Sequence, residues 1–208
     1  PPSPWRSGGR SVSKAAADLY INTLINNFDF PAILIRSTNV YGKHQQLFKI
    51  IPRTVIRLKM GRPIELHGGG KAVKSFIHIR DVVNGTLLAL RHGKSGTYHF
   101  SVLSEDTVGD VVHKVCTLMN YKFEQVTKTA GERLGQDACY WLDTTNARSE
   151  LGWTERINFE EGLKEVIDWI EKNWTIIQSE PLEYHSSLAS ILNSNSSQRF
   201  VKKSINAY

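Results

Sequence analysis

An apolar run, Pro31-Ala32-Ile33-Leu34-Ile35, passes without a break into Arg36-Ser37-Thr38-Asn39, and the chain then meets a turn at Tyr41-Gly42. A short apolar stretch bounded by turn residues reads as a strand covered on both faces, as in a parallel sheet. Hydrogen-bonding side chains crowd its C-terminal end. Open α/β sheets take their ligands at that edge. This one segment therefore points to an α/β fold that handles a polar small molecule.

Charge and composition narrow the ligand. The 208 residues suffice for one good-sized core, or one domain with appendages. Hydrophobic residues at 40% and charged residues at 22% are ordinary for a soluble globular protein. The formal net charge is +6 and the sequence pI is near 9.3, which suits an anionic partner. The cations are spread along the chain with no Lys/Arg block interleaved with aromatics, so a nucleic acid is not the expected partner. No apolar run approaches the ~20 residues of a membrane span, and the start has no apolar signal region. Cys116 and Cys139 form no CxxC pair; two isolated cysteines fit a reducing compartment, and a cytoplasmic location is expected.

Local signals divide the chain into elements. Residues 1–10, rich in Pro, Ser, Gly and Arg, are expected to be irregular. Ser13 to Asn27 is predicted as a helix on the strength of Ala15, Ala16, Leu19, Leu24 and Ile25. Leu47 to Met60 is a second, with Pro52 tolerated near its start. Ile64 to Leu66 is a short strand, Gly68-Gly69-Gly70 a turn, and Ser75 to Ile79 a strand. Asp81 is the expected N-cap of a helix over Val82 to Arg91. Thr97 to Val102 is a strand, Thr107 opens a helix to about Leu118, and Phe123 to Val126 is a short strand. Asp143 to Asn146 cap a short helix, and Asn158 caps a last one from Phe159 to about Trp174. Beyond about residue 184, serines and asparagines dominate and a disordered tail is expected.

Six segments now stand in a specific order: Ser-Val-Ser-Lys-Ala-Ala-Ala-Asp at 11–18, Arg-Ser-Thr-Asn-Val-Tyr-Gly at 36–42, Lys-Ile-Ile-Pro at 49–52, Ser-Phe-Ile-His-Ile-Arg-Asp-Val at 75–82, Gly-Glu-Arg-Leu-Gly-Gln-Asp at 131–137 and Glu-Leu-Gly-Trp at 150–153. In these the chain resembles the extended short-chain dehydrogenase/reductase family, in particular its NAD-dependent nucleotide-sugar epimerases and 4,6-dehydratases of the dTDP-glucose 4,6-dehydratase kind. The resemblance runs from Ser11 to Trp174 and covers the family's C-terminal part. It implies the C-terminal part of a Rossmann-like parallel sheet plus a small mixed α/β substrate-binding region. The implied division is 11–60 for the dinucleotide-binding domain, 61–184 mainly for the substrate region with some segments returning to the sheet, and 185–208 for the tail. The family's strand, G-x-x-G-x-x-G turn and helix have no counterpart: Gly8-Gly9 precedes no such motif and Gly68-Gly69-Gly70 opens no helix. A fragment or truncated product, impaired in catalysis, is the resulting expectation.

The resemblance also assigns roles. Lys14 matches the lysine of the family's Tyr-x-x-x-Lys pair, which lowers the tyrosine pKa and binds the nicotinamide ribose, so it is the candidate catalytic and cofactor residue. Arg10 stands in the tyrosine's place and cannot act as a general base. Backbone at Ser37 and Thr38 would run beside the nicotinamide. Asn39, Lys49, Lys74 and Arg133 match positions around the substrate's two phosphates, and Glu65 and His67 the segment against its base. Phe48 replaces the dehydratase glutamate, which favours epimerase over dehydratase. Read without the family, Lys14 and Lys49 are solvated helix lysines, Asn39 caps a turn, and His78 and Asp81 are structural. No His, Cys or carboxylate spacing suggests a metal. The expected cofactor is NAD and the partner a nucleotide diphosphate-sugar, with a homodimer in the full-length form. The rival expectation is a non-catalytic relative that keeps only sugar-nucleotide binding or dimerisation.

Overall fold

Helix formation at the start reaches further than composition suggests. In the computed structural model, which describes residues 5–132 and 139–180, helix α1 spans Trp5–Phe28. The irregular start expected over residues 1–10 is thus helical from Trp5. Once the Ala15-Ala16-Ala17 stretch has nucleated, each further residue adds one hydrogen bond, and this propagation overrides the local cost of Gly8 and Gly9. A four-residue turn, 29–32, leads into strand β1 (Ile33–Ser37), followed after Thr38 by β2 (Asn39–Tyr41).

Helix α2 (Ile50–Lys59) is shorter than the predicted 47–60, with Lys49 in extended conformation as its N-cap. It leads to β3 (Ile64–His67), a 3-10 turn at Gly68–Gly70, and strands β4 (Val73–Lys74) and β5 (Phe76–His78). Helix α3 (Ile79–His92) starts at once, so its N-cap is His78, whose ring accepts from the Arg80 N–H; the expected cap, Asp81, lies inside the first turn. Next come β6 (Gly96–Phe100) and α4 (Val108–Leu118), which opens on a capping box between Thr107 and Asp110. The strand predicted over 123–126 is a single helical turn, α5 (Phe123–Val126); the strand is the following segment, β7 (Thr127–Ala130). Four residues match either periodicity, and Thr127 Oγ1 donating to Phe123 O closes the turn. The remaining elements are β8 (Cys139–Tyr140), α6 (Thr145–Leu151), α7 (Phe159–Lys172) with its Asn158 cap, and α8 (Trp174–Ile177). The expected tail, 185–208, lies outside the described residues.

The strands form four parallel pairs: β1 with β6, β2 with β5, β3 with β7 and β4 with β8. Parallel partners need crossovers, and helices supply them, which makes this the α/β class that the apolar run at 31–35 indicates. Two apolar clusters hold the molecule together. The larger joins α2, α4 and α7 through Val55, Ile56, Val111, Val115, Leu163 and Val166. The smaller joins the β1–β6 pair to α3 and α6 through Ile77, Tyr98, Phe100, Leu151 and Trp153. Each fully buried large side chain contributes about 1.5–3 kcal/mol. Helix α2 therefore packs with the later helices rather than with β1.

Candidate functional site

The site is built around the C-terminal ends of the parallel strands. Asp18 of α1 accepts two hydrogen bonds from Arg36 of β1, from Nε at 3.1 Å and Nη2 at 2.6 Å. Both side chains are partly exposed, so the pair stabilises by only ~1 kcal/mol or less, but it fixes the register of helix on strand. The short turn between them makes α1 and β1 antiparallel. Lys14 lies one helical turn before Asp18 on α1. Arg10 follows one turn beyond.

At that edge the residues divide into those whose polar groups are used internally and those that face outward. Ser37 is partly buried and in register with Phe100. Thr38 is buried; its N–H donates to Phe100 O and its hydroxyl meets Ser75 Oγ at 3.0 Å. The Thr38 side chain is thus engaged inside the fold. Asn39 is exposed, and both its backbone N–H and its side-chain Nδ2 donate to the Ser75 carbonyl, at 3.2 and 3.0 Å. One amide hydrogen and Oδ1 remain for a ligand. Ser75, whose carbonyl holds Asn39, is the residue after Lys74, which ends β4.

The other predicted residues are distributed around this pair. Lys49 occupies the N-cap of α2, with Nζ 5.6 Å from the centre of the Phe48 ring. The cap makes no side-chain hydrogen bond and the first turn carries no acidic residue. An uncompensated helix N-terminus bearing a lysine favours an anion. Glu65 is exposed, 4.0 Å from Arg57 and in register with Lys128. His67 is exposed, and its Nδ1 lies 3.0 Å from Gly131 O. Arg133 lies outside the described residues.

Residue order marks no role for Glu165 and only structural roles for His78 and Asp81. The structure brings Glu165 and His78 together beneath the Tyr41-Gly42 turn, while Asp81 holds the backbone at Arg156 and Ile157. Glu165 of α7 holds Lys43 at 3.1 Å and Arg80 at 2.5 Å, and lies 3.8 Å from His78 Nε2. Burial alone would raise the Glu165 carboxyl, yet Lys43, Arg80 and His78 together hold it below the usual glutamate range. Burial pushes the His78 imidazole below the usual histidine range, with Glu165 opposing. Burial likewise pushes the Tyr41 phenol upward, so it is a packing group beside His78 and no base. Partners 85 residues apart, such as Arg80 and Glu165, leave no local pattern that could have disclosed them.

A cavity of about 250 Å³ lined by Arg36, Thr97, His99, Asp143 and Asn146 lies on the β1–β6 face that Arg36 shares with α1, and contains none of the predicted site residues. Among the described residues no His, Cys, Asp or Glu group could hold a metal. No helix of the described residues is long and apolar enough to cross a membrane.

Known proteins share the fold. The family profile for GDP-mannose 4,6 dehydratase matches residues 9–166. A trifunctional UDP-glucose 4,6-dehydratase/UDP-4-keto-6-deoxy-D-glucose 3,5-epimerase/UDP-4-keto-L-rhamnose-reductase of Arabidopsis thaliana is 33% identical over 164 residues, 78% of this chain and 24% of that protein. The dTDP-glucose 4,6-dehydratase of Haemophilus influenzae is 29% identical over 180 residues, covering 81% of this chain and 52% of that protein. The chain thus spans about half or less of the length of these relatives. Among solved structures, the dTDP-glucose 4,6-dehydratase of Streptomyces venezuelae, crystallised with NAD bound, superposes with a TM-score of 0.76 at 28% identity, over 83% of this chain and 53% of that one. Parallel strand pairs, the ordered motifs and the profile match agree, and the chain belongs to the GDP-mannose 4,6 dehydratase family of NAD-dependent nucleotide-sugar epimerases and dehydratases.

Proposed function

We propose that this chain forms the sugar-nucleotide-binding part of an NAD-dependent nucleotide-sugar epimerase or 4,6-dehydratase. The observation that carries the reading is Asn39, held at a parallel-strand edge by two bonds to the carbonyl of Ser75, the residue after Lys74. Lys74 supplies charge and Asn39 an amide hydrogen to one phosphoryl group; Lys49 and the α2 N-terminus supply charge and backbone N–H groups to the same diphosphate. Arg133 completes the clamp, while Glu65 and His67 flank the base. The solved dTDP-glucose 4,6-dehydratase with NAD bound supports the same ligand class.

Lys14 and the strand end at Ser37 and Thr38 fit the nicotinamide ribose end of NAD. NAD, when bound, takes up and returns the hydride at sugar C4. The three glycines at 68–70 pack as a 3-10 turn and open no helix, so they do not fit its pyrophosphate. Arg10 at the tyrosine position supports a second reading, a relative that binds without turnover. Dimerisation through α1, whose Val12, Leu19 and Tyr20 are exposed, and a cytoplasmic location belong to the same proposal.

Calorimetric titration of the 208-residue chain with dTDP, UDP, CDP and GDP tests the clamp. At least one should bind, and Lys74→Ala should weaken it about tenfold, the loss expected for one charge-assisted contact. Silence with all four sinks the reading. Incubation with NAD and dTDP-glucose or UDP-glucose should give no turnover; measurable product would overturn the impairment that Arg10 implies.

A further inference from the structure

The Ser75 side chain is fully buried although it lies between two strands at the ligand edge. Its hydroxyl donates to Val102 O at 2.7 Å and accepts from Val102 N–H at 3.3 Å. The Thr38 hydroxyl meets it at 3.0 Å and the Ser101 hydroxyl at 3.3 Å. Ser101 Oγ in turn accepts from the Leu142 N–H at 3.2 Å. One donor and two lone pairs are therefore fully used, and four chain segments meet there: the end of β1, the β4–β5 junction, the end of β6 and the stretch before α6. The same residue's carbonyl accepts both hydrogen bonds of Asn39.

We propose that Ser75 is a positioning residue that locks these segments into one rigid edge, so that Asn39 and Lys74 meet a nucleotide diphosphate in fixed geometry. The ligand in this statement rests on the function proposed above. An alanine at 75 would keep the carbonyl but remove the hydroxyl, leaving Thr38, Val102 and Ser101 to rearrange independently in a buried space. A buried polar network that is only partly satisfied loses its rigidity. The Asn39 carboxamide would then be held by a carbonyl that is itself free to shift. A serine needed only for packing would change overall stability and nothing local.

The test combines amide hydrogen exchange by NMR with calorimetric binding of dTDP, UDP, CDP and GDP, on the wild-type chain, Ser75→Ala and, as a milder change, Ser101→Ala. Ser75→Ala should speed exchange at Asn39, Val102 and Leu142 by about tenfold or more, leave Val55 and Val166 in the larger core unchanged, and weaken nucleotide binding about tenfold. Ser101→Ala should free Leu142 and weaken binding less. Wild type that binds with Ser75→Ala binding equally well overturns the positioning role. So does exchange that rises uniformly across the chain in both variants. Wild type that binds none of dTDP, UDP, CDP and GDP removes the diphosphate reading itself, and the positioning role falls with it.

Discussion

Asp81 is 2% exposed, and its carboxylate accepts the backbone N–H groups of Arg156 at 3.0 Å and Ile157 at 3.2 Å. Its carbonyl also accepts from the Trp153 indole at 3.0 Å. Hydrogen bonds to a buried charge are worth ~1.5–3 kcal/mol each, and their loss strands two donors. Asp81→Ala should therefore destabilise by about 3 kcal/mol in urea unfolding, and Asp81→Asn, which keeps one acceptor, by less. A change under ~1 kcal/mol in the alanine variant would mean that the 156–157 loop is held by something else. His78 sets a pH dependence. Its folded pKa is lowered by burial, so the unfolded chain binds more protons in the intervening window and stability rises with pH. The full contribution is present above about 6.5, the unfolded value, and declines as pH falls below it. His78→Asn keeps a cap acceptor for the Arg80 N–H without the titration. Between pH 7.5 and 5.5 the wild type should lose more stability than this variant; parallel curves would remove His78 as the cause.

The helices are held by local and distant contacts of comparable size. Thr107 Oγ1 accepts from the Asp110 N–H at 3.0 Å, and Asp110 Oδ2 accepts from the Thr107 N–H at 2.8 Å, closing the capping box of α4. The Thr107 hydroxyl, which donates to Asp110 Oδ2 at 2.6 Å, and the Thr107 N–H together hold the Asp110 carboxyl below the usual range. Thr107→Ala should cost about 1 kcal/mol, read from denaturant unfolding. In α7 two effects oppose. Alanine is better than glycine in a helix by about 0.8–1 kcal/mol. A Cβ at Gly162 would lie 2.2 Å from the Tyr41 hydroxyl, within the core that joins α7 to the site turn. Overpacking costs about 1–3 kcal/mol, so Gly162→Ala should destabilise on balance; a gain in stability would show that Tyr41 moves without cost.

Two apolar clusters and a basic surface describe the molecule as a whole. The clusters adjoin at β5, whose Phe76 packs on the larger and Ile77 lies in the smaller. Net charge of +6 gives the proposed diphosphate site a favourable field. Nucleotide affinity should fall severalfold between low salt and 0.3 M salt, as the Debye length shrinks below about 10 Å. Affinity indifferent to salt would place the binding energy in the base and sugar instead. Helix α3 turns Ile79, Val83, Leu87 and Leu90 away from the sheet, all exposed, with Leu90 at 77%. Leu90→Glu should change stability by less than ~0.5 kcal/mol, since little burial is lost.

The apolar run at 31–35, the Thr107 and Asn158 caps and the helical stripe of α7 could be read from residue order because each depends on neighbours within a turn or two. The ordered motifs likewise revealed the family and the strand edge at Asn39. Local pattern could not separate a helical turn from a strand at 123–126, nor show that His78 rather than Asp81 caps α3, because four residues satisfy either period and both side chains can accept the bond. Long-range packing settled those alternatives. It also created what no window of sequence contains: Asn39 on the Ser75 carbonyl, the Ser75 hydroxyl node and the Glu165 cluster join residues tens of positions apart, and only closing the chain around two apolar cores makes such bonds worth their ordering entropy.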